Sequence, residues 1–159
     1  MKSSPFAYVA PDTVAGCVAA LGEAGDEGKV LAGGQSLLPL MALRLGNPGV
    51  LVDVGRIPEL ARIGVDGDHL VIGATATHTQ VAEHAEVVRR APLLAEVAPL
   101  VAHAAIRNRG TFGGSLAHND PAAEWPALAL LLEASVTAVG PAGTRTDVST
   151  SSGASVVVR

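Results

Sequence analysis

Two glycine-rich turns carry the chemistry that this sequence is best equipped to do. One is Ala32-Gly33-Gly34-Gln35-Ser36 and the other is Thr111-Phe112-Gly113-Gly114-Ser115. Glycine admits positive φ and lets backbone come close to a ligand. Main-chain N–H groups at a helix start attract anionic oxygen. Each turn has hydroxyl residues beside its glycines, and each leads into a segment that can begin a helix. A pair of such turns is what a protein needs to hold a pyrophosphate from two sides. The first turn is not a Walker loop, because no lysine follows its glycines, and it lacks the G-x-G-x-x-G dinucleotide spacing.

Each motif also has a plainer reading. Gly33 and Gly34 can serve as a tight strand-to-helix connection with Ser36 as the cap, and the residues alone leave this level with a phosphate site. The second turn sits in a run from Arg107 to Pro121 that is dense in polar and backbone-permissive residues, which favours function there. Glu124 falls early in the next helix, where its carboxylate can accept from a sugar hydroxyl or simply complement the helix dipole. His118 lies beside the second turn, and His78 precedes a helix and reads as a cap or packing residue. His69, His84 and His103 read as surface or packing residues without zinc-site spacing. No nucleophile–base pair is defensible, so no catalytic and no metal-binding residue is assigned.

These residues need elements to position them. A helix through about Ala24, capped by Asp12 or Thr13 and ended by Gly25, precedes a short strand, Lys29 to Ala32. The first turn follows, then a helix over Leu37 to Leu45 and a continuous apolar strand, Val50 to Val54, of the kind buried on both faces. Ala61 to Val65 and His69 to Thr75 form a hairpin around Asp66-Gly67. Helices are expected over Thr79 to Arg90, over Leu93 to Ala105 with a break at Pro99, and over Ala122 to Leu132. A second hairpin pairs Val136–Val139 with Thr146–Val148. The pattern is α/β in two subdomains, residues 1–55 and 56–148, with an atypical polar tail over 149–159. That tail is expected to be poorly ordered, or to offer Val156-Val157-Val158 as an exposed strand edge to another chain.

Composition narrows the classes. The chain has 159 residues, 48% hydrophobic but only 3% aromatic, so its core is built from Ala, Val and Leu. A formal charge of −4 and no basic stripe argue against a nucleic-acid partner. The start has no signal-peptide core, and no apolar stretch reaches membrane-spanning length, so a cytoplasmic protein is expected. Cys17 is the only cysteine, too few for an iron–sulfur cluster within one chain.

Ala32-Gly33-Gly34-Gln35-Ser36-Leu37-Leu38-Pro39 resembles the first flavin motif of the FAD-binding medium subunits of molybdenum hydroxylases, of the carbon monoxide dehydrogenase and xanthine dehydrogenase types. Arg107 to Ser115, then Ala117-His118 and Pro121, resembles the second, and Ile72-Gly73-Ala74-Thr75 with His78 also fits. The resemblance covers roughly residues 5 to 148. It implies the two-subdomain FAD-binding fold shared with vanillyl-alcohol-oxidase-type flavoenzymes. It puts FAD contacts on Leu31, Ala32, Gly33, Gly34, Gln35, Ser36, Leu37 and Leu38, on Thr111, Phe112, Gly113, Gly114 and Ser115, and on Glu124. The family usually has aspartate at the position of Glu124, and often Asp or Asn at that of Ser115. It also implies partners: an iron–sulfur small subunit that delivers electrons and a molybdopterin large subunit that holds the substrate. Family members continue for roughly another hundred residues, so a truncated chain lacking the C-terminal domain is expected. Two alternatives are a remnant or adaptor that no longer binds FAD productively, and a free-standing FAD oxidase, for whose substrate domain the chain has no room.

Overall fold

A computed structural model describes residues 2–148 and 156–158. The first part of the chain builds a small parallel sheet. Its strands are β1 (Ala7–Val9), β2 (Gly28–Leu31) and β3 (Val50–Asp53), in the order β1-β3-β2. β3 is central, and Leu51 and Val52 are buried, as expected of a strand with neighbours on both sides. The helix α1 (Val14–Ala24) covers the sheet, with Cys17 packed on Val52 and Ile57. Thr13 caps α1 by accepting from the Gly16 N–H, and Gly25 ends it at φ 54. The following helix, α2 (Leu37–Ala42), is shorter than the sequence suggests, because the chain turns through Arg44 at φ 58. β1 is absent from the sequence reading; three exposed residues show no alternation to find.

From residue 63 onward a second sheet forms, in the order β4-β5-β8-β6-β7. β4 (Ile63–Asp66) and β5 (His69–Ile72) are the first hairpin, turning at Gly67 with φ 58. β6 (Ser135–Gly140) and β7 (Gly143–Val148) are the second. Between the hairpins lie α3 (His78–Glu83), α4 (Ala85–Arg90), α5 (Pro92–Val97), α6 (Ala104–Arg107), α7 (Phe112–His118) and α8 (Glu124–Leu131). The single helix expected over Thr79 to Arg90 is two. His84 is extended, and its Nδ1 accepts from the Glu86 N–H, so it caps a new helix. The core of this region gathers Ile72, Val81, Val87, Leu94, Phe112 and Trp125.

The tail departs from expectation. β8 (Val156–Val158) is no exposed edge offered to another chain: it pairs in parallel with both β5 and β6, and so joins the two hairpins. The expected disorder from Ser149 to Ser155 falls outside the described residues. Among the described residues no helix is long and apolar enough to cross a membrane.

Candidate functional site

The fold brings the two glycine turns into backbone contact. A Cβ placed on Gly33 would lie 2.2 Å from the Arg109 carbonyl oxygen and 2.8 Å from the Gly110 Cα. One placed on Gly114 would lie 3.6 Å from the Ala32 Cβ. The turn from β2 into α2 therefore docks against the turn from α6 into α7, at the carboxyl end of the parallel strands. That edge is where open α/β sheets place their ligands.

The two turns differ in what they have left to offer. In the first, Gly34 takes φ 71, the left-handed conformation that lets successive amides point to one side. Among the described residues, no acceptor takes the N–H of Gly33, Gly34, Gln35 or Ser36. These residues are half-buried or exposed, so their amides are open to solvent or to an anionic ligand. The Gln35 side chain steadies the turn by donating to the Gly33 carbonyl at 2.9 Å. Ser36 stands at the cap position of α2 but makes no capping bond, so its hydroxyl stays free beside the amides, contrary to its reading as a cap. Leu31 and Leu38 pack about Gly34, with Leu37 opening the helix.

In the second turn the amides are already committed. Phe112 N–H donates to the Ala76 carbonyl at 2.9 Å and Gly113 N–H to that of Ala74 at 3.0 Å. Gly114 N–H goes to Thr111 Oγ1 at 3.1 Å, and Ser115 N–H to the Thr111 carbonyl at 3.0 Å. Thr111 is thus the cap of α7, and the glycines lie in its first turn rather than in an open loop. Their small size serves the protein: a Cβ on Gly113 would sit 2.6 Å from the Ala74 Cα. Phe112 is fully buried against Trp125. What remains for a ligand is the Ser115 hydroxyl, which makes no hydrogen bond to a described residue. Glu124 opens α8 half-buried, and none of the described groups donates to its carboxylate. α7 packs on α8, which brings Ser115 and Glu124 onto neighbouring elements.

Behind the second turn lies a buried polar pair. Trp125 Nε1–H donates to His78 Nδ1 at 2.9 Å, and the rings lie 5.5 Å apart. Burial, with the Arg107 charge adding to it, lowers the His78 pKa from 6.5 to about 4. The ring is therefore neutral at pH 7, with its proton on Nε2. His78 N–H donates to the Gly110 carbonyl at 3.0 Å, and Thr77 pairs with Thr111 across an isolated bridge. Arg107 donates to the carbonyls of Pro99, Val101 and Ala102, so it organises the approach to the second turn. Sequence reasoning took His78 as a cap or packing residue. The cap is Thr77, in a capping box with Gln80, and His78 packs. Its tie to Trp125, 47 residues away, leaves no local signal.

An apolar cleft of about 730 Å³ opens between α1 and the two hairpins, lined by residues such as Val14, Cys17, Leu60 and Val139. None of the residues assigned to cofactor binding lines it.

Residues 4–150 match the family described as the FAD binding domain in molybdopterin dehydrogenase. The chain is 47% identical over 141 residues to the carbon monoxide dehydrogenase medium chain of Hydrogenophaga pseudoflava, covering 89% of this chain and 49% of that one. It is 44% identical over 145 residues to subunit alpha of the 6-hydroxypseudooxynicotine dehydrogenase complex of Paenarthrobacter nicotinovorans, covering 91% and 49%. Among solved structures, a carbon monoxide dehydrogenase from Hydrogenophaga pseudoflava superposes with a TM-score of 0.92 at 46% identity, over 94% of this chain and 52% of that one. Quinoline 2-oxidoreductase from Pseudomonas putida 86 gives 0.91 at 41%, with the same coverage. The chain spans about half the length of the relatives it matches.

Proposed function

The chain belongs to the family of FAD-binding domains of molybdopterin dehydrogenases, and from that premise we propose how it holds FAD and what it serves. The observation that carries the reading is the run of unpaired amides from Gly33 to Ser36 about a left-handed Gly34. Four N–H donors and one hydroxyl on a tight turn suit the oxygens of a pyrophosphate. Leu31, Ala32, Leu37 and Leu38 frame that turn with apolar contact. Thr111, Phe112, Gly113 and Gly114 form the opposing wall, on which the first turn is docked. Ser115 and Glu124 supply the hydroxyl and carboxylate left over for the sugar portion of the cofactor.

FAD, when bound, supplies the redox chemistry; the chain supplies binding, orientation and a wall against water. No side chain is asked to act as acid, base or nucleophile. In the assembled cytoplasmic enzyme the chain holds the flavin between an iron–sulfur subunit and an external electron acceptor, while a molybdopterin subunit holds the substrate. One cysteine cannot ligate an iron–sulfur cluster, which agrees with placing the clusters on another chain. Residues 1–55 and 56–148 are assigned to its two subdomains, and β8 of the second sheet lies beyond the latter range.

The test is titration of the purified chain with FAD and with FMN, followed by flavin fluorescence and the visible spectrum. FAD should bind and FMN, which lacks the pyrophosphate, should compete poorly. Tight FMN binding that FAD cannot displace would refute the reading.

A further inference from the structure

We propose that His78 is a positioning residue for the FAD site: its ring holds the start of α8, and with it Glu124, against Gly110, the residue that leads into the second turn. The inference rests on the FAD reading above and goes beyond it, because His78 is assigned no contact with the cofactor.

Three observations meet at this residue. Its main-chain N–H holds the Gly110 carbonyl at 3.0 Å, directly before the Thr111 cap. Its Nδ1 takes the Trp125 indole N–H at 2.9 Å, and Trp125 follows Glu124 in the first turn of α8. Its Nε2 edge packs on Gly110 so closely that a Cβ there would lie 2.7 Å from Nε2. The imidazole is only 5% exposed, and the indole is fully buried. The buried side-chain bond to α8 and the main-chain bond to Gly110 therefore meet at one residue, at the start of α3, and couple two elements that carry separate parts of the site. The Nδ1 lone pair is what the bond needs, so the neutral ring with its proton on Nε2 is the working form. Removing the acceptor strands a buried N–H, which is costlier than removing both partners together. α8 then has reason to rotate or shift until the indole finds water, and Glu124 moves with it.

The experiment uses the full chain, with FAD as the probe. His78→Leu and Trp125→Phe should each weaken FAD binding about tenfold, the cost expected of one misplaced hydrogen-bonded contact. The double variant should be no weaker than either single one, because both remove the same tie. His78→Asn places an amide oxygen near the Nδ1 position and should restore affinity to within about threefold of the parent. Val87→Ala, a truncation in the same core that removes no hydrogen bond, serves as a control for general destabilisation. Fluorescence of the sole tryptophan reports the environment of the indole directly, and it should shift in His78→Leu but not in His78→Asn. If His78→Leu, folded, binds FAD as the parent does, or loses no more affinity than Val87→Ala at matched Tm, the proposal is overturned while the FAD reading stands. If the parent chain itself does not bind FAD, the functional reading fails first and this one with it.

Discussion

At the scale of single residues, two buried polar groups make opposite predictions. The Thr75 hydroxyl is buried without a hydrogen-bond partner among the described residues. Replacing such a group by a methyl of similar shape removes an unpaid desolvation cost. Thr75→Val should therefore raise stability by about 1 kcal/mol in urea unfolding, with FAD affinity unchanged. A drop in affinity would instead show that the hydroxyl serves the ligand. His78 behaves differently because it titrates. Its pKa falls from 6.5 in the unfolded chain to about 4 in the fold, through burial first and the Arg107 charge second. Between those values the unfolded chain takes up a proton that the folded chain refuses. The His78 contribution is thus fully present above about pH 6.5 and is lost as pH falls toward 4, by at most about 3 kcal/mol. Unfolding midpoints measured at pH 7 and pH 4.5 should converge more in His78→Asn than in the parent. An identical pH slope in both would remove His78 as the cause.

At the scale of elements, the structure explains why glycine recurs in the two motifs. Gly33→Ala forces a methyl to 2.2 Å from a carbonyl oxygen of the opposing backbone, and no flexible side chain is there to yield. The turn must undock from the α6–α7 link, at a cost of about 2 kcal/mol or more. Gly22, in the interior of α1, has nothing within 4 Å of the added carbon. Gly22→Ala should stabilise by roughly 0.5–1 kcal/mol through helix propensity alone. Chemical denaturation of the two variants without FAD checks both signs, and equal effects would contradict the docking contact. The same contact shows what was legible in the sequence. The buried strand Val50–Asp53, the two hairpins and the α1 cap could be read from composition and spacing. That the second turn spends its amides on Ala74, Ala76 and Thr111 could not, because the acceptors lie on a distant segment. The division of the Thr79–Arg90 helix was hidden for a related reason. Its helical periodicity continues through His84, where the break shows only in the folded chain, as an extended backbone and a capping bond to Glu86.

At the scale of the whole molecule, two sheets depend on a few close backbone approaches. Gly33 meets Arg109, and Gly73 lies so near the segment leading into β4 that a Cβ on it would be 2.1 Å from the Leu60 carbonyl oxygen. The polar tail read as foreign to the fold nonetheless contributes β8, which pairs with β5 and β6; a three-valine strand is too short to place by pattern, and its neighbours are set by tertiary pairing alone. A ligand held between the first turn and α7–α8 spans both sheets, so it should act as a clamp on the entire chain. Binding to the folded state alone stabilises it by about 2.7 kcal/mol when free ligand is a hundredfold above Kd. For a chain of this size that corresponds to a Tm rise of roughly 5–10 °C. The rise should appear in one cooperative transition, because the clamp couples the sheet of β1–β3 to that of β4–β8. FMN at equal concentration should give a much smaller rise, since the unpaired amides of Gly33 to Ser36 have no pyrophosphate to hold. Differential scanning calorimetry with each flavin is the measurement. Stabilisation confined to a second, separable transition would mean that FAD engages one sheet only. No stabilisation at saturating FAD would mean that the unpaired amides serve some other anion.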